Sequence, residues 1–157
     1  PEHAGGALYD LNIYNLHFVM GVLGTPKEVI YRPNFGFNGI DISGTALLDY
    51  DDYTVVCSAA KDSESISGIV FQGEKGYMEL VGAPNACALV KVHKKGEEEI
   101  LINKEKYNHR MVNEFVAFTE IFKQQDLATC YKTLEHSLNV MKVLEQARIS
   151  GKVEFNI

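Results

Sequence analysis

The stretch Gly5-Gly6-Ala7-Leu8-Tyr9-Asp10-Leu11-Asn12-Ile13-Tyr14-Asn15-Leu16-His17 decides how this chain is read. A glycine pair opens an apolar helix. Asp10, Tyr14 and His17 fall at i, i+4 and i+7, the spacing that stacks side chains on one helix face. The positions between them are largely Leu and Ile, which belong in a core. A solvated face carries Lys and Glu more often than an Asp, a Tyr and a His. The stretch therefore reads as a mostly buried helix whose polar stripe walls an active site.

Working outward, the helix is expected over 7–23 and ends at Gly24-Thr25-Pro26, a helix-stopping signal. Strand character follows at 28–32. Residues 33–44 read as a loop rich in Gly and Asn that holds Asp41. Residues 45–50 and 53–60 read as a hairpin around Asp51-Asp52. Further strands are expected at 65–72 and 77–81 about a turn at 73–76, then a hairpin of 86–94 and 99–102. From about Asn108 the apolar period changes from two to 3.6. Met111, Phe115, Phe118 and Phe122 define one apolar stripe, with the three Phe expected in the core. Leu134, Leu138, Met141, Leu144 and Ile149 define a second, ending at Ser150-Gly151. Val153-Glu154-Phe155 closes the chain with strand-like character. A helix, a run of strands, then two helices predict an α+β fold: an open, mainly antiparallel β-sheet with helices on one face.

The other face of that sheet carries a second expectation. In 53–60 the odd positions are Tyr53, Val55, Cys57 and Ala59, and the even ones Thr54, Val56, Ser58 and Ala60. Neither set is charged, whereas a sheet with one wet face alternates more cleanly. A second copy of the same sheet is the simplest cover, so a homodimer through the sheet face is expected.

The 157 residues allow one domain with a sizeable core, and the whole of 1–157 is read as a single domain. A net charge of −6 with no basic stripe argues against a nucleic-acid surface. No apolar run is long enough to cross a bilayer, and no signal peptide is visible, so no membrane partner is expected. Cys57, Cys87 and Cys130 are odd in number and far apart, which fits reduced thiols in a cytoplasmic protein and no metal site. The chain lacks G-x-G-x-x-G after a strand and lacks G-x-x-x-x-G-K-[S/T], so no dinucleotide or phosphate cradle is recognisable. It begins at Pro1 and enters its first helix almost at once, which reads as a piece of a longer protein. His3, His93, His109 and His136 carry no readable role, and Lys61-Asp62-Ser63 reads as a turn.

Gly5-Gly6-Ala7-Leu8-Tyr9-Asp10, with Tyr14 four residues on, resembles the G-G-G-x-L-x-D-x-G-x-[H/Y] motif of the Gfo/Idh/MocA oxidoreductases, the glucose–fructose oxidoreductase and inositol dehydrogenase family. Gly39-Ile40-Asp41 through Leu47-Leu48-Asp49-Tyr50, Ile69 through Gly76-Tyr77-Met78-Glu79, and Val143-Leu144-Glu145-Gln146-Ala147-Arg148-Ile149-Ser150-Gly151 are similar to that family's second domain. The chain departs from the motif at Ala4, which reduces the glycine triplet to a pair, and at Asn12, which stands where Gly is usual.

The resemblance implies the C-terminal, substrate-binding and dimerisation domain of an oxidoreductase, with the N-terminal Rossmann domain absent from this chain. It implies hydride exchange between a sugar-like or cyclic alcohol and NAD or NADP, the cofactor being held mostly by the missing domain and the present chain alone being inactive. Tyr14 is then the proton acceptor. A free phenol has a pKa of about 10, so it needs a cation beside it to act at neutral pH, and the family places a lysine of the first domain there. Asp10 orients the substrate hydroxyl or that lysine. His17, Asn12 and Asp41 are expected near substrate, and Gly5 and Gly6 let the helix start approach the cofactor. Two alternatives stand beside this reading: a stand-alone binding or oligomerisation module of the same fold without redox activity, and an NAD-using glycoside hydrolase relative.

Overall fold

The computed structural model describes residues 5–102, 107 and 109–154. Pro1, His3, Asn108 and Phe155, on which parts of the sequence reading fall, lie outside the described residues. A π-helical turn, Leu8–Asn12, runs straight into helix α1, Ile13–Leu23. Strands β1 (Glu28–Phe35), β2 (Asp41–Asp49) and β3 (Thr54–Ala60) form one antiparallel sheet in the order β1-β2-β3. Strands β4 (Gly68–Gly73), β5 (Gly76–Val81), β6 (Leu89–Lys94) and β7 (Ile100–Ile102) form a second antiparallel sheet in chain order. Helices α2 (Arg110–Gln124) and α3 (Leu127–Ser150) complete the chain. The fold is α+β with antiparallel sheets, as the alternation of periods predicts.

Residues group into two compact units, 1–64 with 131–157 and 65–130. The first holds a continuous core. Leu8, Leu16, Val19 and Met20 from the first helix meet Val29, Tyr31, Ala46, Leu48 and Cys57 from the sheet and Val140, Val143, Leu144 and Ala147 from α3. Helices thus cover one face of this sheet. On its other face the register aligns Ile30, Leu47 and Val56 in one row, with Arg32, Thr45 and Ser58 beside it. Leu47 and Val56 are exposed.

Three corrections follow in this unit. The 33–44 loop is far shorter: β1 continues through Pro33 to Phe35, and β2 already begins at Asp41. Pro33 is tolerated because β1 is an edge strand, where a missing N–H costs no ladder bond on the open side. Within α3 only Leu144 of the expected stripe is buried; Leu134, Leu138, Met141 and Ile149 are exposed, and Val140, Val143 and Ala147 take their place. The terminal strand-like reading also fails at Val153 and Glu154, which are not in a strand.

In the second unit the register places Ile69, Leu80, Val90 and Ile102 in one row and Phe71, Met78, Val92 and Ile100 in another, both on the same face. Both rows are wholly apolar, yet Leu80 is the single buried residue among the described residues of 65–130. Phe115, Phe118 and Phe122, expected in the core, are 63%, 55% and 84% exposed on α2. The helix and its stripe are as the period predicts; what is missing is an element packed over the stripe.

Candidate functional site

The glycine pair is where the first helix meets the sheet. Asp41, the first residue of β2, is buried, and its Oδ2 accepts from the Leu8 backbone N–H at 2.7 Å and from the Tyr31 hydroxyl at 2.9 Å. A helix start leaves its first N–H groups without partners; here a carboxylate from another element satisfies one, and Ala7, the residue that would ordinarily cap, offers no side-chain bond. The carboxylate lies so close that a Cβ on Gly6 would sit 1.7 Å from Asp41 Oδ1. Gly6 is therefore glycine because the carboxylate fills the space a side chain needs. Tyr31 is seated the same way: a Cβ on Gly44 would meet its hydroxyl at 2.1 Å, and one on Gly151 its ring at 2.7 Å. Its backbone N–H donates to Ser150 Oγ at 2.8 Å. Burial, then the bond to Asp41, pushes the Tyr31 phenol far above its ordinary value.

Asn12 also faces inward. It is fully buried, its Nδ2 donating to the Cys57 carbonyl at 3.1 Å and its Oδ1 accepting from Asn15 at 2.8 Å. Asn15 reaches the Ser58 carbonyl at 3.2 Å. Asn12 and Asp41, expected near substrate, also bond to the fold itself, Asn12 through both amide atoms and Asp41 through Oδ2, and tie the helix to β3 and β2. The nicotinamide expected near the glycines meets a similar fact. The space above Gly6 is filled by the chain's own carboxylate, and the Gly5 carbonyl accepts from Lys61.

Asp10 and Tyr14 are exposed on the helix, and His17 is half-buried against α3. Asp10 Oδ2 accepts from Lys61 Nζ at 2.5 Å, with the Asp10 side chain 59% and the Lys61 side chain 34% exposed. Tyr14 is 43% exposed. His17 Nδ1 lies 3.3 Å from Nε2 of His136 on α3 in a hydrogen bond between imidazoles. Burial first, and then the neighbouring His136, push the His17 imidazole below its ordinary value. The same helix is pinned to α3 one turn earlier than Tyr14. The Tyr9 hydroxyl donates to Glu145 Oε2 at 3.0 Å, and Arg148 holds both oxygens of that carboxylate, at 2.8 and 2.6 Å. The Arg148 bonds hold the Glu145 carboxyl at about 2, well below its usual range. Burial, with Glu145, raises the Tyr9 phenol to about 12.

Lys61 and His136 are the partners that sequence reading did not find. Each meets its residue across more than fifty positions of chain, and nothing local marks either one. Lys61 follows β3 directly, in the bend at 61–63 where a turn was expected, and its backbone N–H donates to the Ile42 carbonyl at 2.8 Å. Among the described residues no group of three His, Cys, Asp or Glu is placed to hold a metal. An open depression of about 900 Å³ lies in the second unit, against Tyr77, His93, Lys75 and Lys94, and none of Asp10, Tyr14 or His17 lines it. Asp10 and Tyr14 thus stand on an open helix face rather than inside a closed cleft. No helix among the described residues is long and apolar enough to cross a membrane.

No family model matches the chain. It is 29% identical over 151 residues to scyllo-inositol 2-dehydrogenase (NADP(+)) IolU of Bacillus subtilis (strain 168), a match covering 94% of this chain and 45% of that protein. The fold is that of the C-terminal domain of the Gfo/Idh/MocA-type oxidoreductases. Among solved structures, the aldose-aldose oxidoreductase from Caulobacter crescentus, complexed with glycerol, superposes with a TM-score of 0.73 at 16% identity, over 94% of this chain and 46% of that one. KijD10, a 3-ketoreductase from Actinomadura kijaniata in complex with NADP, gives 0.71 at 16% identity, over 93% and 48%. The chain spans less than half the length of the curated relatives it matches.

Proposed function

We propose that this chain is the substrate-facing domain of an NAD(P)-dependent oxidoreductase acting on a sugar-like or cyclic alcohol, and that a nucleotide-binding domain completes its site. The observation that carries the reading is the match, over nearly all of this chain and less than half of the relative, to a protein named as an NADP-dependent inositol dehydrogenase. The open helix face supports it: Asp10 and Tyr14 lie exposed on a helix whose other sides are pinned to the sheet and to α3. A second domain over that face converts an open surface into a cleft.

In this reading the nicotinamide, bound mostly outside this chain, supplies the hydride acceptor. Tyr14, as a phenolate beside a cation that the second domain would supply, takes the hydroxyl proton of the alcohol. Asp10, fixed by Lys61, accepts a hydrogen bond from the substrate and holds it in register with the phenol. His17, tied to His136, lines the end of the stripe. Without the second domain the chain has no turnover. The outer face of the first sheet, with its apolar row of Ile30, Leu47 and Val56, is the surface we assign to a homodimer.

The test is nicotinamide absorbance with a panel of polyols, using the full-length protein. Tyr14→Phe should lower turnover by about a hundredfold or more, within the range of general acid–base contributions, with the circular dichroism unchanged. Near-normal rates in that variant remove Tyr14 from the mechanism. A full-length protein that moves no hydride with any polyol removes the reaction itself.

A further inference from the structure

We propose that Lys61 and Asp10 together read a pair of adjacent hydroxyls, Lys61 donating to one oxygen of a vicinal diol while Asp10 accepts from the other. This rests on the reading of the chain as the substrate side of a polyol or sugar oxidoreductase, and names the feature of the substrate that the site selects. An ammonium carries three donors and a carboxylate two acceptor oxygens. Lys61 Nζ spends one donor on the Gly5 carbonyl at 2.9 Å and one on Asp10 Oδ2 at 2.5 Å. The third donor of Lys61 and the Oδ1 of Asp10 have no partner among the described residues. The two free valences therefore sit side by side, one a donor and one an acceptor.

An exposed ion pair contributes little to stability, since solvent and side-chain entropy offset the Coulomb gain. This one is built differently. Lys61 is fixed through its backbone to Ile42, next to the buried Asp41 that holds the helix start. Its ammonium is then fixed to the carbonyl of the glycine entry as well as to Asp10. The chain thus presents the pair already ordered, which lowers the entropy lost when a ligand binds. Asp10 precedes Tyr14 by one helical turn, so a ligand held by the pair extends toward the phenol. The charges also choose the ligand. The pair is neutral overall, and Asp10 repels an anion at this spot, so a neutral diol is favoured over a phosphate or a carboxylate.

The experiment measures binding and turnover separately on the full-length protein. Ligand-observed NMR gives dissociation constants for scyllo-inositol and compares trans-1,2-cyclohexanediol with trans-1,4-cyclohexanediol. Wild type should bind scyllo-inositol and prefer the 1,2-diol. Lys61→Met should weaken scyllo-inositol about tenfold or more, as expected for a hydrogen bond to a charged group, and erase the preference between the diols. Lys61→Arg should retain part of both, and Lys61→Gln provides a second neutral variant should the Met variant misfold by near-UV circular dichroism. Unchanged binding in the neutral variants, a diol preference that persists without Lys61, or no binding of these probes by wild type overturns the proposal. Lys61-dependent binding without nicotinamide turnover leaves the diol reader standing and removes the proposed reaction. Turnover that ignores Lys61 does the reverse.

Discussion

The two halves of this molecule are patterned alike and finished differently. In residues 5–64 with 131–154, apolar faces meet: the first helix, the first sheet and α3 share one core, with Leu8, Leu16, Leu48 and Leu144 fully buried. In residues 65–130 the patterns are equally regular, with two apolar rows on one sheet face and a Phe stripe on α2, yet Leu80 alone is buried among the described residues there. The difference teaches that periodicity reports which residues share a face and says nothing of what covers it. It also separates roles. The covered half fixes the polar residues of the helix in place. The uncovered half leaves large apolar side chains exposed on its helix, Phe115, Phe118 and Phe122 among them.

The contrast can be broken most directly by truncating one residue on each side. Leu144→Ala should cost about 3 kcal/mol in urea unfolding, the usual range for a fully buried leucine. Phe118→Ala, on an exposed stripe, should change the same chain by less than about 0.5 kcal/mol. Equal losses would mean that the stripe is already covered within this chain, and the contrast would vanish. Gly6→Ala sharpens the comparison from inside the covered half. It drives a methyl into the Asp41 carboxylate and should cost about 2 kcal/mol as the Leu8 and Tyr31 bonds give way. The same change at the solvent-exposed Gly96, on the β6–β7 turn, meets no atom within 4 Å, although its φ of +83° adds backbone strain.

The smallest effect is one of pH. The folded His17 imidazole binds its proton less readily than the unfolded one, because burial and His136 disfavour its charge. The unfolded chain therefore takes up more protons as pH falls below about 6.5. Stability attributable to this group is intact above that pH and declines beneath it. Melting temperatures measured from pH 8 to pH 5 should fall at the acid end, and His17→Gln should flatten part of that slope. A slope unchanged by the substitution places the acid sensitivity elsewhere.

Much of the fold is legible in the sequence for identifiable reasons. Gly24, at φ +81°, ends the first helix where Gly24-Thr25-Pro26 places the stop. Asp51-Asp52 turns the hairpin expected of 45–50 and 53–60. The span 33–44 misleads because Pro33 and Gly44 are breakers by type, whereas an edge strand accepts the first and the Tyr31 hydroxyl requires the second. In α3 the buried set Val140, Val143, Leu144 and Ala147 follows i, i+3, i+4, i+7, but larger apolar side chains on the other faces drown that signal.

The candidate site is legible only in part. Asp10, Tyr14 and His17 are found because a helix repeat is local. Their partners Lys61 and His136 come from distant strands and helices, and no spacing rule links them. Asn12 and Asp41 look like ligands to a sequence reader, since polar groups in apolar or glycine-rich surroundings are expensive. Inside the fold that expense is met by the Cys57 carbonyl and Asn15 for Asn12, and by the Leu8 N–H and the Tyr31 hydroxyl for Asp41.

The interlock of Gly6, Tyr31, Gly44, Asp41 and Gly151 also constrains how this protein varies. Each glycine is small because a neighbour is large, so the five positions form one epistatic block rather than five independent sites. Saturation libraries built one codon at a time will report all five as intolerant. Libraries that replace Tyr31 and Asp41 together with shorter apolar residues will recover side chains at 6 and 44 that no single-site survey would admit.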